Sequence, residues 1–310
     1  MLSYRHAFHA GNHADVLKHW VLLELLEHMN RKDKPYWVVD THAGAGLYDL
    51  AHGPAAKNAE HAEGIGRLWG RSDLPPPLGA YVARVRDLNP SGRLARYPGS
   101  PFLALRLIRP TDRLRLFELH GSDFDLLAGQ LAGYFPGQDR RYALARADGF
   151  LALKAVLPPP PRRGLVFMDP AYEDKRDYLR ALMAVKEGLS RFATGTFCVW
   201  YPILPRGDAA QLPLKLRRLP ADWLDVSLAV QAPSGDGFGM HGSGLYIANP
   251  PWTLAGTLRE NLPFLTRLLA RDETAAWRVE TGEVAARSPA RPPVAPGPGT
   301  TRSRSARRTK

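Results

Sequence analysis

Between residues 36 and 201 the chain alternates short apolar runs with segments of helical spacing, and few architectures accommodate that alternation. The runs are Tyr36–Asp40, Arg113–Glu118, Arg141–Ala147, Leu165–Met168 and Phe197–Tyr201. Between them fall helical patterns at Phe102–Ile108, Ser122–Gly133, Gly149–Leu157 and Tyr178–Ser190. A strand that feeds a helix and then another strand builds a parallel sheet by right-handed crossovers. Two later strands, Trp223–Val230 and Gly244–Ala248, bracket a Gly-rich hairpin at Pro233–Gly239. The pattern predicts an α/β fold, a mostly parallel seven-stranded sheet with helices on both faces. Ser100-Pro101 reads as an N-cap and first helical position, and a capping residue opens the helix at Ser122.

Before the first strand, residues 13–30 place Val16, Leu17, Trp20, Leu23 and Leu26 at helical spacing with charges between them. Residues 47–96 carry helical patches such as Ala80–Leu88 among Pro and Gly and lack strand signals, which predicts a small helical insert. The expected organisation is a domain over 1–280 with that insert, then a disordered basic tail over 281–310.

Charge follows this division. The chain of 310 residues carries a formal +12, and the segment from Glu283 to Lys310 holds seven Lys/Arg against one acid. The tail therefore supplies about half the excess, and the remaining +6 suits a polyanionic partner. Cys198 is the only cysteine, so no internal disulfide forms, which fits a reducing cytoplasm. No apolar run has signal-peptide or membrane-spanning character. A cytoplasmic monomer with no obligate protein partner is expected.

In such sheets ligands bind at the carboxyl ends of the strands. Four segments fall there. Asp40, His42, Gly44 and Gly46 follow the first strand, where small residues let a ligand approach the backbone. Glu118, 18 residues after Ser100, ends the second and is placed to grip ribose hydroxyls. Ser100 opens a helix whose N-terminus can receive an anion. Asp148-Gly149 ends the third strand, with a carboxylate suited to an adenine amine. Each acid alone is an ordinary helix cap; three in register are not.

Asp169-Pro170-Ala171-Tyr172, after the fourth strand, decides the reaction class. An amine conjugated to a ring is a poor nucleophile because its lone pair is delocalised. Two acceptors aimed at its hydrogens, here the Asp169 carboxylate and the Pro170 carbonyl, favour a pyramidal nitrogen. Tyr172 is suited to stack on an extruded base. Asn249-Pro250-Pro251-Trp252 is a rival of the same general pattern, but it follows the cofactor segments too late in the chain. His6, His9, His13 and His19 suggest a metal, yet no acidic or thiol ligand follows at useful spacing, although His9 and His13 would share a helix face. No metal is expected.

The run Tyr4-Arg5-His6-Ala7-Phe8-His9-Ala10-Gly11-Asn12-His13-Ala14-Asp15-Val16-Leu17-Lys18-His19 closely resembles the RlmJ family of bacterial 23S ribosomal RNA adenine-N6 methyltransferases. The likeness continues through Asp40–Gly46, Tyr97–Pro101, Asp148-Gly149-Phe150 and Arg191–Thr196, and reaches Trp252. It implies a Rossmann-like class I methyltransferase fold using S-adenosylmethionine (AdoMet), without a metal, on an adenine of free 23S rRNA. By the resemblance Lys18, His19, His42, Ser100, Glu118, Asp148, Gly149 and Asp169 fall at AdoMet-binding positions. Asp169, with Pro170 and Tyr172, forms the catalytic motif. Tyr4, with His6 and Lys18, is expected to meet the RNA. The family's D-P-P-Y reads D-P-A-Y here, and the tail is an addition. A DNA adenine-N6 methyltransferase and a non-catalytic basic RNA-binding assembly factor are the alternatives.

Overall fold

The computed structural model describes residues 6–135, 140–205, 207–235 and 239–284. Tyr4, the tip of the Gly-rich hairpin and the tail beyond 284 lie outside them. The chain opens with helix α1 (His13–Asn30), capped by Asn12, whose side chain accepts from the Ala14 and Asp15 amides. Strand β1 (Trp37–Asp40) follows, then β2 (Leu47–Asp49) and three short helices, α2 (Gly53–Asn58), α3 (Ile65–Trp69) and α4 (Pro76–Arg86). Strand β3 (Arg96–Pro98) pairs antiparallel with β2. The insert therefore has strands where its sequence lacks strand signals: a two-stranded neck in which Tyr48 lies opposite Tyr97.

The chain then runs α5 (Ser100–Leu107), β4 (Arg113–Phe117), α6 (Gly121–Tyr134), β5 (Tyr142–Ala145), α7 (Gly149–Val156), β6 (Gly164–Met168), α8 (Arg176–Arg191) and β7 (Thr196–Ile203). Next come α9 (Asp208–Leu216), β8 (Trp223–Ala229), β9 (Gly242–Ala248), α10 (Leu254–Leu269) and β10 (Ala276–Gly282). The main sheet has eight strands in the order β10-β8-β9-β7-β6-β1-β4-β5, one more than the seven expected. The extra strand, β10, pairs antiparallel with β8 from Ala276 opposite Ala229 to Gly282 opposite Trp223. Pairing around β1 is parallel on both sides, and β9 runs antiparallel between β7 and β8.

Two apolar cores flank the sheet. One joins α1, α5, α6 and α10 to it, with Trp20, Phe102, Leu127 and Leu258 buried. The other packs α7, α8 and α9 on the opposite face around Leu153, Val185, Phe197 and Leu212. The sequence of α1 reads as amphipathic, but the helix is buried from His13 to Leu23, since β9, α5 and α10 all pack on it. Its charged residues do not face water. Asp15, Lys18 and His19 are each 3% exposed or less, which requires partners inside the protein.

Two helix starts also differ from the sequence reading. Gly99, not Ser100, is the N-cap of α5, and Ser100 is its first residue. Its hydroxyl is directed to the buried carboxylate of Asp40, which offers a stronger acceptor than a neighbouring amide offers a donor. Likewise His120 caps α6 without a side-chain bond to the helix, and Ser122 Oγ meets His120 Nδ1 instead.

Candidate active site

The five strands joined by parallel pairing, β5, β4, β1, β6 and β7, end at one edge of the sheet, and a cavity of about 370 Å³ opens there. His6, Lys18, His19, His42, Ser100, Glu118, Asp148, Gly149, Asp169, Pro170 and Tyr172 all line it. The fold thus brings together every described residue expected at the cofactor, catalytic and RNA positions, whereas Asp40 and Gly46 do not line the cavity. The volume falls in the range of roughly 300–1,000 Å³ common to small-molecule sites.

At the tip of β1, Asp40 accepts from Ser100 Oγ at 2.6 Å and from the His42 amide at 3.2 Å. Burial pushes its carboxyl up to about 7, with Ser100 and the amide opposing and the nearby Asp169 and Glu118 adding to the rise. Gly44 turns the chain with φ +62°, and its amide donates to Glu118 Oε2 at 2.8 Å. The His120 amide donates to Glu118 Oε1 at 2.7 Å. Glu118 is thereby fixed by one backbone N–H on each oxygen, and its remaining lone pairs face the cavity. Burial raises its pKa, and the two amides oppose the shift.

His42 meets Thr41 Oγ1 at 2.8 Å through Nδ1 and stands edge-on to Phe150, with ring centroids 4.7 Å apart. Burial pushes its imidazole down to about 3, so the ring is neutral. His19 is neutral for the same reason, and its Nδ1 shares a hydrogen bond of 2.7 Å with the Tyr97 hydroxyl. Asp148 caps α7, accepting from the Phe150 amide at 3.0 Å on Oδ1, while Arg180 of α8 takes Oδ2. Gly149 is required at that turn: a Cβ there would come within 2.0 Å of the Thr41 carbonyl oxygen.

Asp169 follows β6, and the Lys18 ammonium reaches its Oδ2 at 2.5 Å. Lys18 also pairs with Asp15 Oδ1 at 2.7 Å and sits 5.6 Å from the Trp200 ring centroid. Burial would lower its pKa, but the two carboxylates outweigh burial and raise it, so Lys18 is cationic. Tyr172 holds φ +55°, donates to the Trp200 carbonyl at 2.7 Å and stacks on Tyr178 at 4.4 Å. One face of its ring is therefore covered by Tyr178.

The rival motif lies elsewhere. Because β9 runs antiparallel, its carboxyl end is level with the start of β7, where Ala248 pairs with Phe197. Asn249 donates to the carbonyls of Ala193 and Gly195, each at 2.8 Å, and closes the opposite edge of the sheet. Trp252 beside it is 85% exposed. The histidines also separate: His6 pairs with Asp15 and His9 with Glu60, and α1 begins only at His13, so His9 does not share its face. Among the described residues no group of three His, Cys, Asp or Glu side chains converges as a metal site.

Three contributors were not picked out from the sequence: Asp15, Arg180 and Tyr97. Their only local signal is spacing. Asp15 lies three residues before Lys18, an arrangement that on a surface helix is an ordinary solvated pair.

The lining chemistry fits AdoMet. Seven carboxylates, those of Asp15, Glu118, Asp123, Asp148, Asp169, Glu173 and Asp177, face two fixed cations, Lys18 and Arg180. An acidic cavity in a chain of net charge +12 selects against a free polyanion and for a cationic ligand with hydroxyls. Fold and site together define a Rossmann-like, AdoMet-dependent methyltransferase. The family model described as "Ribosomal RNA large subunit methyltransferase D, RlmJ" matches residues 33–281, and the chain belongs to that family. A "Ribosomal RNA large subunit methyltransferase J" from Haemophilus influenzae is 43% identical over 286 residues, 90% of this chain and 98% of the relative. Its namesake from Escherichia coli (strain K12) is 46% identical over 269 residues, 86% and 93%. A crystal structure of a Legionella pneumophila protein superposes with a TM-score of 0.81 at 36% identity, over 88% of this chain and 98% of that one.

Proposed function

We propose that the protein methylates the exocyclic N6 amine of an adenine in 23S rRNA, with Asp169 and the Pro170 carbonyl orienting the amine. The observation that carries this reading is Asp169-Pro170-Ala171-Tyr172 at the β6 tip, on the wall of the same acidic cavity as Glu118 and Asp148. AdoMet, when bound, supplies an electrophilic methyl group on a sulfonium. Glu118 takes its ribose hydroxyls, Asp148 its adenine amine, and His19, His42, Ser100 and Gly149 complete the cradle. Asp148 shares itself between this role and Arg180, so Arg180 sets its orientation.

The amine's hydrogens donate to Asp169 and to the Pro170 carbonyl, which localises the lone pair for in-line attack. The nitrogen gains a methyl group and loses one proton, and Asp169 is positioned to receive it. Tyr172, held between Tyr178 and Trp200, forms the aromatic wall against the base, and Tyr4, His6 and Lys18 meet the RNA. The protein acts as a cytoplasmic monomer without a metal. The methyltransferase domain, with 47–96 inserted, runs on past the expected boundary at 280 to the end of β10 at Gly282, and the basic tail after it adds nonspecific attraction to phosphates.

Tritium transfer from labelled AdoMet to protein-free 23S rRNA tests the reading. Digestion is expected to yield labelled N6-methyladenosine from one site. Asp169→Ala should lose methylation by about 10³-fold or more while RNA affinity holds. Label in DNA or protein, or full activity in Asp169→Ala, overturns it.

A further inference from the structure

Asp15 is wholly buried, yet it carries a charge that the reaction as described leaves unassigned. Three donors surround it. His6 Nε2 lies 3.0 Å and the Gly11 amide 2.8 Å from Oδ2, and Lys18 Nζ lies 2.7 Å from Oδ1. Burial alone would raise its pKa, but His6 and Lys18 outweigh burial and hold it well below the usual carboxylate range. A lone carboxylate in that place would be too costly to keep, so its partners are part of its purpose.

Lys18 explains that purpose. Its ammonium is a compact charge on a flexible stem, with three donors and no fixed direction of its own. Asp15 precedes it by about one helical turn on the same face of α1, and Asp169 lies beyond it at 2.5 Å. The ammonium therefore bridges two carboxylates and reaches only Oδ2 of Asp169. No donor among the described residues reaches Oδ1. His6, the other residue tied to Asp15, lines the same cavity and stands edge-on to Tyr48 at 5.3 Å.

We propose that Asp15 is a positioning residue for methyl transfer: it tethers the Lys18 ammonium to the Oδ2 side of Asp169, which keeps Oδ1 for the substrate amine, and it pins His6 to the cavity wall. Without Asp15, Lys18 has a single anionic partner and competes with the amine for both oxygens of Asp169. The inference rests on the adenine-directed reading of Asp169 given above.

The test is a double-variant cycle with Asp15→Asn and Lys18→Met, read by single-turnover methylation of protein-free 23S rRNA and by AdoMet calorimetry. Each single variant is expected to slow methyl transfer by about 30–100-fold, and the double variant by about the same factor as Lys18→Met alone. In Asp15→Asn, where the Lys18 ammonium is kept, the loss of rate should persist with AdoMet saturating and AdoMet affinity should fall by no more than about threefold. Wild-type rates in Asp15→Asn overturn the proposal. So does a double variant that multiplies the two losses, or, in Asp15→Asn, a loss of AdoMet binding as large as the loss of rate.

Should Asp15→Asn fail to fold, Lys18→Met and the double variant carry the comparison, because removing both charges leaves no buried ion of that pair unpaired. Equal rates are expected, and a further tenfold loss in the double variant is the overturning result. Asp169→Ala run alongside separates the two levels. If it still methylates, the reading of the site fails; if it is inactive while Asp15→Asn is not, only the tether fails.

Discussion

The Tyr97 hydroxyl lies 2.7 Å from Nδ1 of His19 and 2.9 Å from the hydroxyl of Tyr81, so the insert helix α4 is joined to the cavity wall through three buried side chains. Burial keeps His19 neutral, and the bond at Nδ1 holds its ring in place on the cavity wall. Tyr97→Phe should weaken AdoMet binding by about 5–10-fold, the worth of roughly 1–1.5 kcal/mol for one hydrogen bond. Tyr81→Phe should weaken it less. Calorimetry checks both, and unchanged affinity in Tyr97→Phe would detach the insert from the cradle.

Asp40 makes stability depend on pH in an unusual direction for a carboxylate. Its folded pKa of about 7 lies above the ordinary value of 3.8, so the folded state holds a proton that the unfolded chain has lost between those limits. Through that window this group subtracts stability as pH rises, by about 1.4 kcal/mol per unit at the steepest. Ser100→Ala removes a donor to the ionised form. Thermal melts should show Ser100→Ala costing more at pH 8 than at pH 5; equal losses at both would mean that Asp40 is not the group titrating.

A methyl group at Gly149 has nowhere to go, given the Thr41 carbonyl 2.0 Å from its Cβ. Gly149→Ala should lose about 1–3 kcal/mol of stability and shift Asp148 with it. Denaturant melts give the first quantity and AdoMet affinity the second. A variant as stable as the wild type would show that the β1 and β5 tips approach less closely than described.

Ala171 is exposed and stands where a D-P-P-Y pattern has its second proline. Ala171→Pro should leave the methylation rate within about twofold and raise stability by about 0.4–1 kcal/mol, through loss of freedom in the unfolded chain. A fall in rate above tenfold would show that the Asp169 loop must flex at this residue.

Asn249→Ala should cost about 1–3 kcal/mol, because two carbonyls lose their donor and alanine tolerates φ +50° poorly. Methyl transfer per folded molecule should not change. A rate loss in well-folded Asn249→Ala would return the rival motif to consideration.

Much of this site is legible in the sequence because parallel crossovers force every strand to end at one edge. Once β1, β4, β5 and β6 are recognised, the positions of Asp40, Glu118, Asp148 and Asp169 follow. Asp15 and Lys18 are different. Their spacing is identical to that of a solvated helix pair, and only the packing of β9 and α10 on α1 buries them. Strand β10 was hidden for a similar reason: it is an exposed edge whose partner, β8, lies some fifty residues earlier, so no local pattern demands it.

The burial of α1 also orders events in time. It is the first helix of the chain, yet its covering includes β9, more than two hundred residues later. During vectorial synthesis Leu17 and Trp20 must wait, unsheltered, while almost the whole sheet is translated. Lys18 cannot meet Asp169 any sooner than the helix docks. The pocket is therefore closed late, by segments that the chain supplies only after most of the sheet has been made.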